Sequence, residues 1–320
     1  MKKLLILALF AAVTFCAAAQ ELTVATYNIR NANRGDAERG NGWERRGPWV
    51  CRLIEFHGFD IFGSQEVLDG QLHDMLAQLP DYDYIGVGRD DGKTQGEYAP
   101  IFYKKERFRL LDDGHFWLSE ITDRPNKGWD AALPRICTWG HFLDLQTKRR
   151  FWFFNLHMDH IGVQAREESA KLVVAKIREM CKPKEFVILT GDFNVDQNNH
   201  IYTTFTTSGI LSDSYETAAK RYAPNGTFNS FSPSLKTGSR IDHIFVSPSV
   251  RVHNYGVLTD TYRTETAESA GEIKSGAFPK EVSLTATRRV RRRITFPWSC
   301  GSNSEKKACG LSGKRLDPII

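Results

Sequence analysis

Residues 186–194 read Phe-Val-Ile-Leu-Thr-Gly-Asp-Phe-Asn, and how this stretch is understood sets the fold. Phe186–Thr190 is an apolar run with no charged break, so it predicts a strand without a solvent face. Such a strand belongs to a sheet covered on both sides. Gly191, Asp192 and Asn194 then place turn formers and a carboxylate at the strand's end, where side chains emerge into a cleft. Immediately upstream, Gln164–Cys181 carries Ala170, Val173, Val174, Ile177 and Met180 at helical spacing, and Pro183 stops it. A helix feeding a buried strand that ends in an acid is the unit from which the rest is built.

The same pattern continues in both directions. Toward the N-terminus, Leu22–Arg30, Asp60–Val67, Pro100–Lys104, Gly114–Leu118, Ile136–Leu145 and Phe151–His157 read as strands, with a hairpin turn at Lys148-Arg149-Arg150. Trp49–His57 and Gln71–Leu79 read as helices. Toward the C-terminus, after a Ser/Thr/Asn/Gly-rich stretch, Arg240–Val246 and Val250–Leu258 read as two more strands. Many strands and few helices, with no linker or repeat, predict one α+β sandwich domain over residues 20–289.

Composition sets limits but does not assign a partner. The chain has 320 residues, is 41% hydrophobic and 25% charged, and carries a net charge of +5. That excess is not spread evenly. Residues 288–320 hold nine bases against Glu305 and Asp317, and residues 1–19 hold Lys2 and Lys3 with no acid. The body between them is net −4, which argues against tight duplex-DNA binding. Arg34, Arg39, Arg45 and Arg46 offer at most a local basic rim. Trp43, Trp129 and Phe228 are candidates either for stacking on a base or sugar or for covering the core edge.

The first nineteen residues have the form of a secretory signal: Lys2-Lys3, an apolar run Leu4–Phe15, and Ala17-Ala18-Ala19 before Gln20. The run is too short to span a bilayer. The expectation is an exported, periplasmic or extracellular monomer without stable membrane insertion. Five cysteines would remain, Cys51, Cys137, Cys181, Cys300 and Cys309, with no CxxC pair. They predict single buried thiols, with no zinc site or disulfide framework.

Chemistry-bearing residues gather at strand ends: Tyr27-Asn28, Gln65-Glu66, Asn155 to His160, Gly191 to Asn194, and Arg240 to His243. Each has an ordinary alternative. Asn28 can cap a turn, Glu66 can pair with an arginine, His157 can be a hydrogen-bonded structural residue, and GDFN can be a plain turn. Their sum is more specific. A hard cation such as Mg²⁺ takes carboxylate and phosphate oxygens, which suits Glu66 helped by Asn28. Hydrolysis of a phosphate ester needs a carboxylate to orient or deprotonate water, for which Asp192 is the candidate. It also needs donors around the phosphoryl oxygens, which His157 and Asn194 can supply. No P-loop, nucleophile elbow, dinucleotide fingerprint or HExxH motif competes.

The ordered motifs TYNIR, SQEV, NLHMDH, LTGDFNV and RIDHIF resemble the endonuclease/exonuclease/phosphatase superfamily over about 220 residues. Glu97–Tyr103 and HMDHIG followed by Ala165-Arg166 resemble its secreted bacterial branch most. The resemblance implies a four-layer αββα sandwich with two packed mixed β-sheets, and hydrolysis of a phosphate ester with Mg²⁺ or Mn²⁺. It places Asn28 and Glu66 on the metal side, His157 on the phosphate, Asp192 as water activator and Asn194 at the transition state. Asp242 would orient a final histidine. The implied substrate is nucleic acid or a small phosphodiester, so a nuclease or phosphodiesterase is preferred. Val195-Asp196 after GDFN, where inositol-phosphate phosphatases usually carry Arg, weakens that branch.

One part of the pattern is missing. The family's last strand bears Ser-Asp-His-x-Pro and β-branched residues, but here Val290–Cys300 reads VRRRITFPWSC. Joining each codon's third base to the next codon's first two, from Arg292 on, allows Ser-Asp-His-Phe-Pro-Val at the expected place. Residues 290–320 are therefore read as an aberrant basic tail, translated out of frame and disordered. The alternative is a basic appendage that binds nucleic acid. Without the Asp-His pair, a second reading of the function stays open: a catalytically impaired relic of the fold that binds metal or phosphate without turnover.

Overall fold

The computed structural model describes residues 21–265 apart from 184, 223–224, 229 and 231–236. Beyond residue 265 it describes only the strand segments 273–274, 283–284, 287–291, 294–296 and 300–302. The first part of the chain forms β1 (Val24–Asn28), α1 (Arg34–Glu38), α2 (Trp43–His57), β2 (Ile61–Gln65), α3 (Asp69–Gln78), β3 (Tyr82–Ile85), β4 (Ile101–Lys104) and β5 (Phe108–Trp117). It continues with β6 (Ile136–Asp144), β7 (Arg150–His157), α4 (Val163–Met180), β8 (Phe186–Asp192), α5 (His200–Thr206), β9 (Ser212–Asp213), α6 (Ser214–Thr217) and β10 (Lys220–Tyr222). The last part holds β11 (Asp242–Val246), β12 (Val250–Val252), β13 (Asn254–Leu258), β14 (Thr261–Glu265), β15 (Ile273–Lys274), β16 (Ser283–Leu284), β17 (Thr287–Arg291), β18 (Ile294–Phe296) and β19 (Cys300–Ser302).

Two mixed sheets dominate. One has seven strands in the order β10-β13-β18-β1-β2-β4-β3, the other six in the order β5-β6-β7-β8-β11-β9. Three apolar clusters divide the molecule into layers. Val24, Ile61 and Ile101 from the first sheet meet Phe142, Phe153, Ile188 and Ile244 from the second, forming the core between them. Behind the first sheet, Tyr27, Phe62 and Phe102 pack on Val50, Ile54, Leu72 and Met75 of α2 and α3. Behind the second, Phe154, Leu156 and Leu189 pack on Val173, Ile177 and Phe205 of α4 and α5. This is the four-layer αββα sandwich. The run Phe186–Thr190 behaves as its sequence requires, with Ile188 facing the other sheet while Val187 and Leu189 face the helices.

Several boundaries differ from the sequence reading. Helix α2 begins at Trp43, not Trp49, and runs through Pro48. Arg46 outweighs the cost of proline there. It is buried, and its guanidinium donates to the carbonyls of Ile29 (2.7 Å), Asn41 (3.0 Å), Arg30 and Asn31 (both 3.2 Å). Strand β5 starts at Phe108 because its outer half lies exposed on an edge, where alternation is not enforced. Val250–Leu258 is two strands, β12 and β13, which pair in different sheets. The arginines of the expected rim each have a partner within the chain. Arg39 and Arg30 pair with Asp36, Arg34 pairs with Glu38, and Arg45 donates to the Gly40 carbonyl. Trp43 is buried and donates to Asp74, so it covers the core edge. Cys51 and Cys137 are buried free thiols and Cys181 is a half-buried one.

Within the segment read as an aberrant tail, β18 lies between β1 and β13, antiparallel to both, at Thr26↔Thr295 and Val257↔Thr295. Residues 303–320 and residues 1–19, read from the sequence as a secretory signal, lie outside the described residues. No helix among the described residues is long and apolar enough to cross a membrane.

The two sheets are also joined by a polar bridge. Asn155, fully buried on β7, donates to the carbonyls of Ser64 (2.7 Å) and Pro100 (2.9 Å). Its Oδ1 accepts from Gln65 Nε2 at 2.7 Å and Thr190 Oγ1 at 3.0 Å. Gly63 leaves room for this, because a Cβ there would come within 2.2 Å of both Asn155 Oδ1 and Thr190 Oγ1. Asn155→Leu removes four buried hydrogen bonds at once. It is expected to cost about 3 kcal/mol or more, measured by urea denaturation. Gly63→Ala should be destabilising by the same assay, whereas Gly70→Ala, which meets nothing within 4 Å, should not.

Candidate active site

The ends of β1, β2, β7 and β8 come together at one end of the sandwich. Parallel pairing sets Asn28 beside Gln65 and His157 beside Asp192, and the Asn155 bridge fixes one sheet's register against the other. Asn28 Nδ2 donates to Glu66 Oε1 at 2.8 Å and to Asp192 Oδ2 at 3.0 Å. Its Oδ1 accepts from the Arg30 N–H. Asn28 therefore acts here as the donor that draws two carboxylates together. Ligand atoms of Glu66, His157 and Asp192 lie within 4.8 Å of one another.

Two of these residues leave their strands in the left-handed region, Glu66 at φ 60° and Asn194 at φ 51°. That conformation costs a non-glycine residue roughly 1–2 kcal/mol. In return it turns the chain sharply just past β2 and β8. The Asn194 N–H reaches Asp192 Oδ1 at 3.1 Å, and its Nδ2 donates to the Met158 carbonyl at 2.9 Å. Both Asp192 oxygens are thus held. His157 sits between carboxylates, with Nε2 3.8 Å from Asp192 and Nδ1 3.9 Å from Glu97.

Asp242 stands directly across from Asp192 in the β8–β11 ladder, so the two side chains share one face. It is buried, and its own N–H donates to Thr227 Oγ1. His243 points the other way. It is buried against Phe193, Tyr202 and Phe245, with Nε2 at 3.0 Å from the Val195 carbonyl. A carbonyl only accepts, so Nε2 carries the proton. Burial lowers the His243 pKa and keeps the ring neutral.

Glu97 was quoted in the sequence only as part of a motif, yet it closes this end of the site. It accepts from Arg89 Nη1 at 2.6 Å and from Asn31 Nδ2 at 2.8 Å. The tertiary fold brings it to 3.9 Å from His157 Nδ1. Burial raises the Glu66 carboxyl pKa above its ordinary value; the Asn28 amide opposes the rise and the Glu97 charge adds to it. Three neighbouring carboxylates with one pushed toward protonation form a cluster short of positive charge, which is the electrostatic setting that a hard cation relieves.

A four-layer sandwich with an acid, amide and imidazole cluster at one end of both sheets defines a phosphoesterase of hydrolytic type. The chain belongs to the Endonuclease/Exonuclease/phosphatase family, whose sequence model matches residues 25–261. It is similar to a solved family member from Bacteroides thetaiotaomicron, with 50% identity, TM-score 0.81, and coverage of 89% of this chain and 99% of that one. It is also similar to the mannosyl-6-phosphatase Bt3783 of Bacteroides thetaiotaomicron VPI-5482, with 52% identity, TM-score 0.77, and coverage of 86% of this chain and 98% of that one. An uncharacterized protein of Acanthamoeba polyphaga mimivirus is 28% identical over 227 residues, spanning 67% of this chain and 82% of its own length. Enzymes of this family are divalent-metal-dependent hydrolases of phosphate esters.

The raised Glu66 carboxyl has a sign that can be checked. An acid whose folded pKa lies above its unfolded value contributes stability below its ordinary 4.5. That contribution is lost as pH rises through the folded value. A cation bound at Glu66 would therefore compete with protons there. The rise in melting temperature produced by Mg²⁺ should shrink on acidification from about pH 8 to about pH 5, and Glu66→Gln should abolish it. Differential scanning calorimetry with and without chelator reads both effects.

Proposed function

We propose that this chain is built to hydrolyse a phosphate monoester of a sugar, using Mg²⁺ or Mn²⁺ held at Glu66. The observation that carries the chemistry is the convergence of Glu66, His157 and Asp192 from strands of both sheets. The substrate class is supported by the similarity to a mannosyl-6-phosphatase, which outweighs the nuclease or phosphodiesterase preference drawn from the motifs. The net −4 charge of the body points the same way.

The residues present fit a hard cation, since Glu66 and Asp192 supply oxygen and Asn28 holds the two at a fixed spacing. When bound, the cation supplies Lewis-acid polarisation of the phosphoryl group. The chain's own residues do the rest. Asp192, immobilised at both oxygens, orients water and accepts its proton. His157 donates to a phosphoryl oxygen, and Asn194 steadies the charge that develops in the transition state. Asp242, placed across from Asp192, would orient a further histidine that the sequence after Arg289 does not provide. We place the protein outside the cytoplasm, on the strength of residues 1–19, and read it as a monomer.

Turnover is measured with Mg²⁺ on sugar phosphates, DNA, RNA, phospholipid head groups and inositol phosphates. The assay covers both the chain as given and a version with the Ser-Asp-His frame restored. The restored chain should prefer sugar monoesters, and Asp192→Ala in it should lower kcat by about 10³-fold. Activity that survives Asp192→Ala, or a preference for DNA, would overturn the reading. Turnover confined to the restored chain would identify the given chain as the impaired relic.

A further inference from the structure

The motif His157-Met158-Asp159-His160 has a second half that the reaction described above does not use. Asp159 is buried. Its Oδ1 accepts from the N–H groups of Ile161 (2.9 Å) and Gly162 (2.8 Å), and its Oδ2 accepts from Arg135 Nε at 3.1 Å. Burial pushes its carboxyl up, but those N–H groups and the Arg135 charge together hold it well below the usual carboxylate range. The guanidinium of Arg135, itself only 3% exposed, is thereby fixed in place. Its Nη2 then meets His160 Nδ1 at 2.9 Å.

This contact settles the tautomer of His160. A guanidinium has five donors and no acceptor, so His160 Nδ1 must accept. The ring proton is therefore on Nε2. His160 is exposed, unlike its neighbours Met158 and Asp159, so its Nε2–H is available at the surface. Arg166, half-buried one helical turn into α4, donates Nη1 to the Asp159 carbonyl at 2.9 Å. Its charge is thus tied to a carbonyl, not to a carboxylate.

The position of these residues relative to the site follows from the sheet. Strand β6 runs antiparallel to β7, so Arg135, just before β6, lies at the end where β7 delivers His157. Asn194 Nδ2 on the Met158 carbonyl ties the same turn to the GDFN loop. The rim therefore offers the exposed His160 imidazole N–H, backed by the buried Arg135 and the half-buried Arg166, beside a carboxylate-rich centre. A set made only of donors suits an oxyanion.

We propose that His160, held by Arg135 as its Nε2–H tautomer, donates to a terminal phosphate oxygen of the substrate at the rim of the site. Arg166 adds positive charge there. This rests on the phosphoesterase reading and sharpens it, because a monoester dianion gains more from such a rim than a diester monoanion does. His160 is then a substrate-recognition residue and Arg135 a positioning residue.

The test uses the full chain with Mg²⁺ and reads binding by isothermal titration with inorganic phosphate and, separately, with dimethyl phosphate. His160→Asn keeps an acceptor near the Nδ1 position but loses the outer donor; His160→Gln restores an N–H near the Nε2 position. Phosphate binding should weaken about tenfold in His160→Asn, at an unchanged melting temperature, and recover to within about threefold in His160→Gln. Dimethyl phosphate binding should change less. Nitrogen-15 NMR should show His160 as the Nε2–H form, with Nε2 shifting on addition of phosphate, and Arg135→Met should release the tautomer. Phosphate binding in His160→Asn equal to wild type, no saturable phosphate binding in wild type, or a Nδ1–H tautomer would each overturn the proposal. If the binding pattern holds while no ester is turned over, the catalytic reading fails and this inference stands. If ester is turned over but His160→Asn changes neither KM nor phosphate affinity, this inference alone fails.

Discussion

The side chain of Asn155 is the constraint on which the rest depends. Two sheets packed only through apolar side chains can slide, because dispersion and burial have no direction. A carboxamide enclosed between them cannot, since each of its partners must be met or left unsatisfied in a medium without water. By engaging the carbonyls of Ser64 and Pro100 together with Gln65 and Thr190, Asn155 ties β7 to β2, β4 and β8 simultaneously. Glu66 follows Gln65 directly, His157 lies two residues beyond Asn155, and Asp192 lies two beyond Thr190. One polar bridge thus sets the relative positions of three residues far apart in the chain.

The catalytic end then follows from how the strands stop. Glu66 and Asn194 adopt left-handed backbone one residue and two residues beyond β2 and β8, respectively. Such strain is tolerated where surrounding hydrogen bonds over-determine it, and both residues are so held, through Asn28, Asn31, Asp192 and Met158. Asn28 is central to this cluster because its amide touches both acids. Uncharged, it can hold Glu66 and Asp192 close without neutralising either, which leaves their charge available.

Much of this could be read in the sequence where the local pattern and the tertiary role agree. FVILT announces a strand covered on both faces, the α4 spacing announces a helix lying on it, and GDFN announces an acid at a strand end. The reading failed where a distant contact overrides a local rule. Pro48 looks like a boundary, but Arg46 is clasped by four carbonyls from two other segments, and no local pattern reveals that. Glu97 looked incidental because its partners, Asn31 and Arg89 from two loops and His157 from the end of β7, are far from it in the chain. The Asn155 bridge itself was hidden, since an Asn in an apolar strand carries no mark of which carbonyls it will meet. Arg135 and Asp159 were visible as residues, but their partnership required the pairing of β6 with β7.

The position of β18 between β1 and β13 has a broader meaning. A slot inside a sheet is filled by main-chain N–H and C=O groups, which every residue except proline offers in the same form. Sealing that slot is therefore a task almost any short extended peptide can perform, while furnishing it with a particular side chain is a matter of reading frame. The two tasks can be separated by the loss of a single nucleotide. Cellular surveillance responds to open strand edges, and a slot paired on both sides is not one. A gene damaged in this way would betray itself through missing product long before it did so through a misfolded protein.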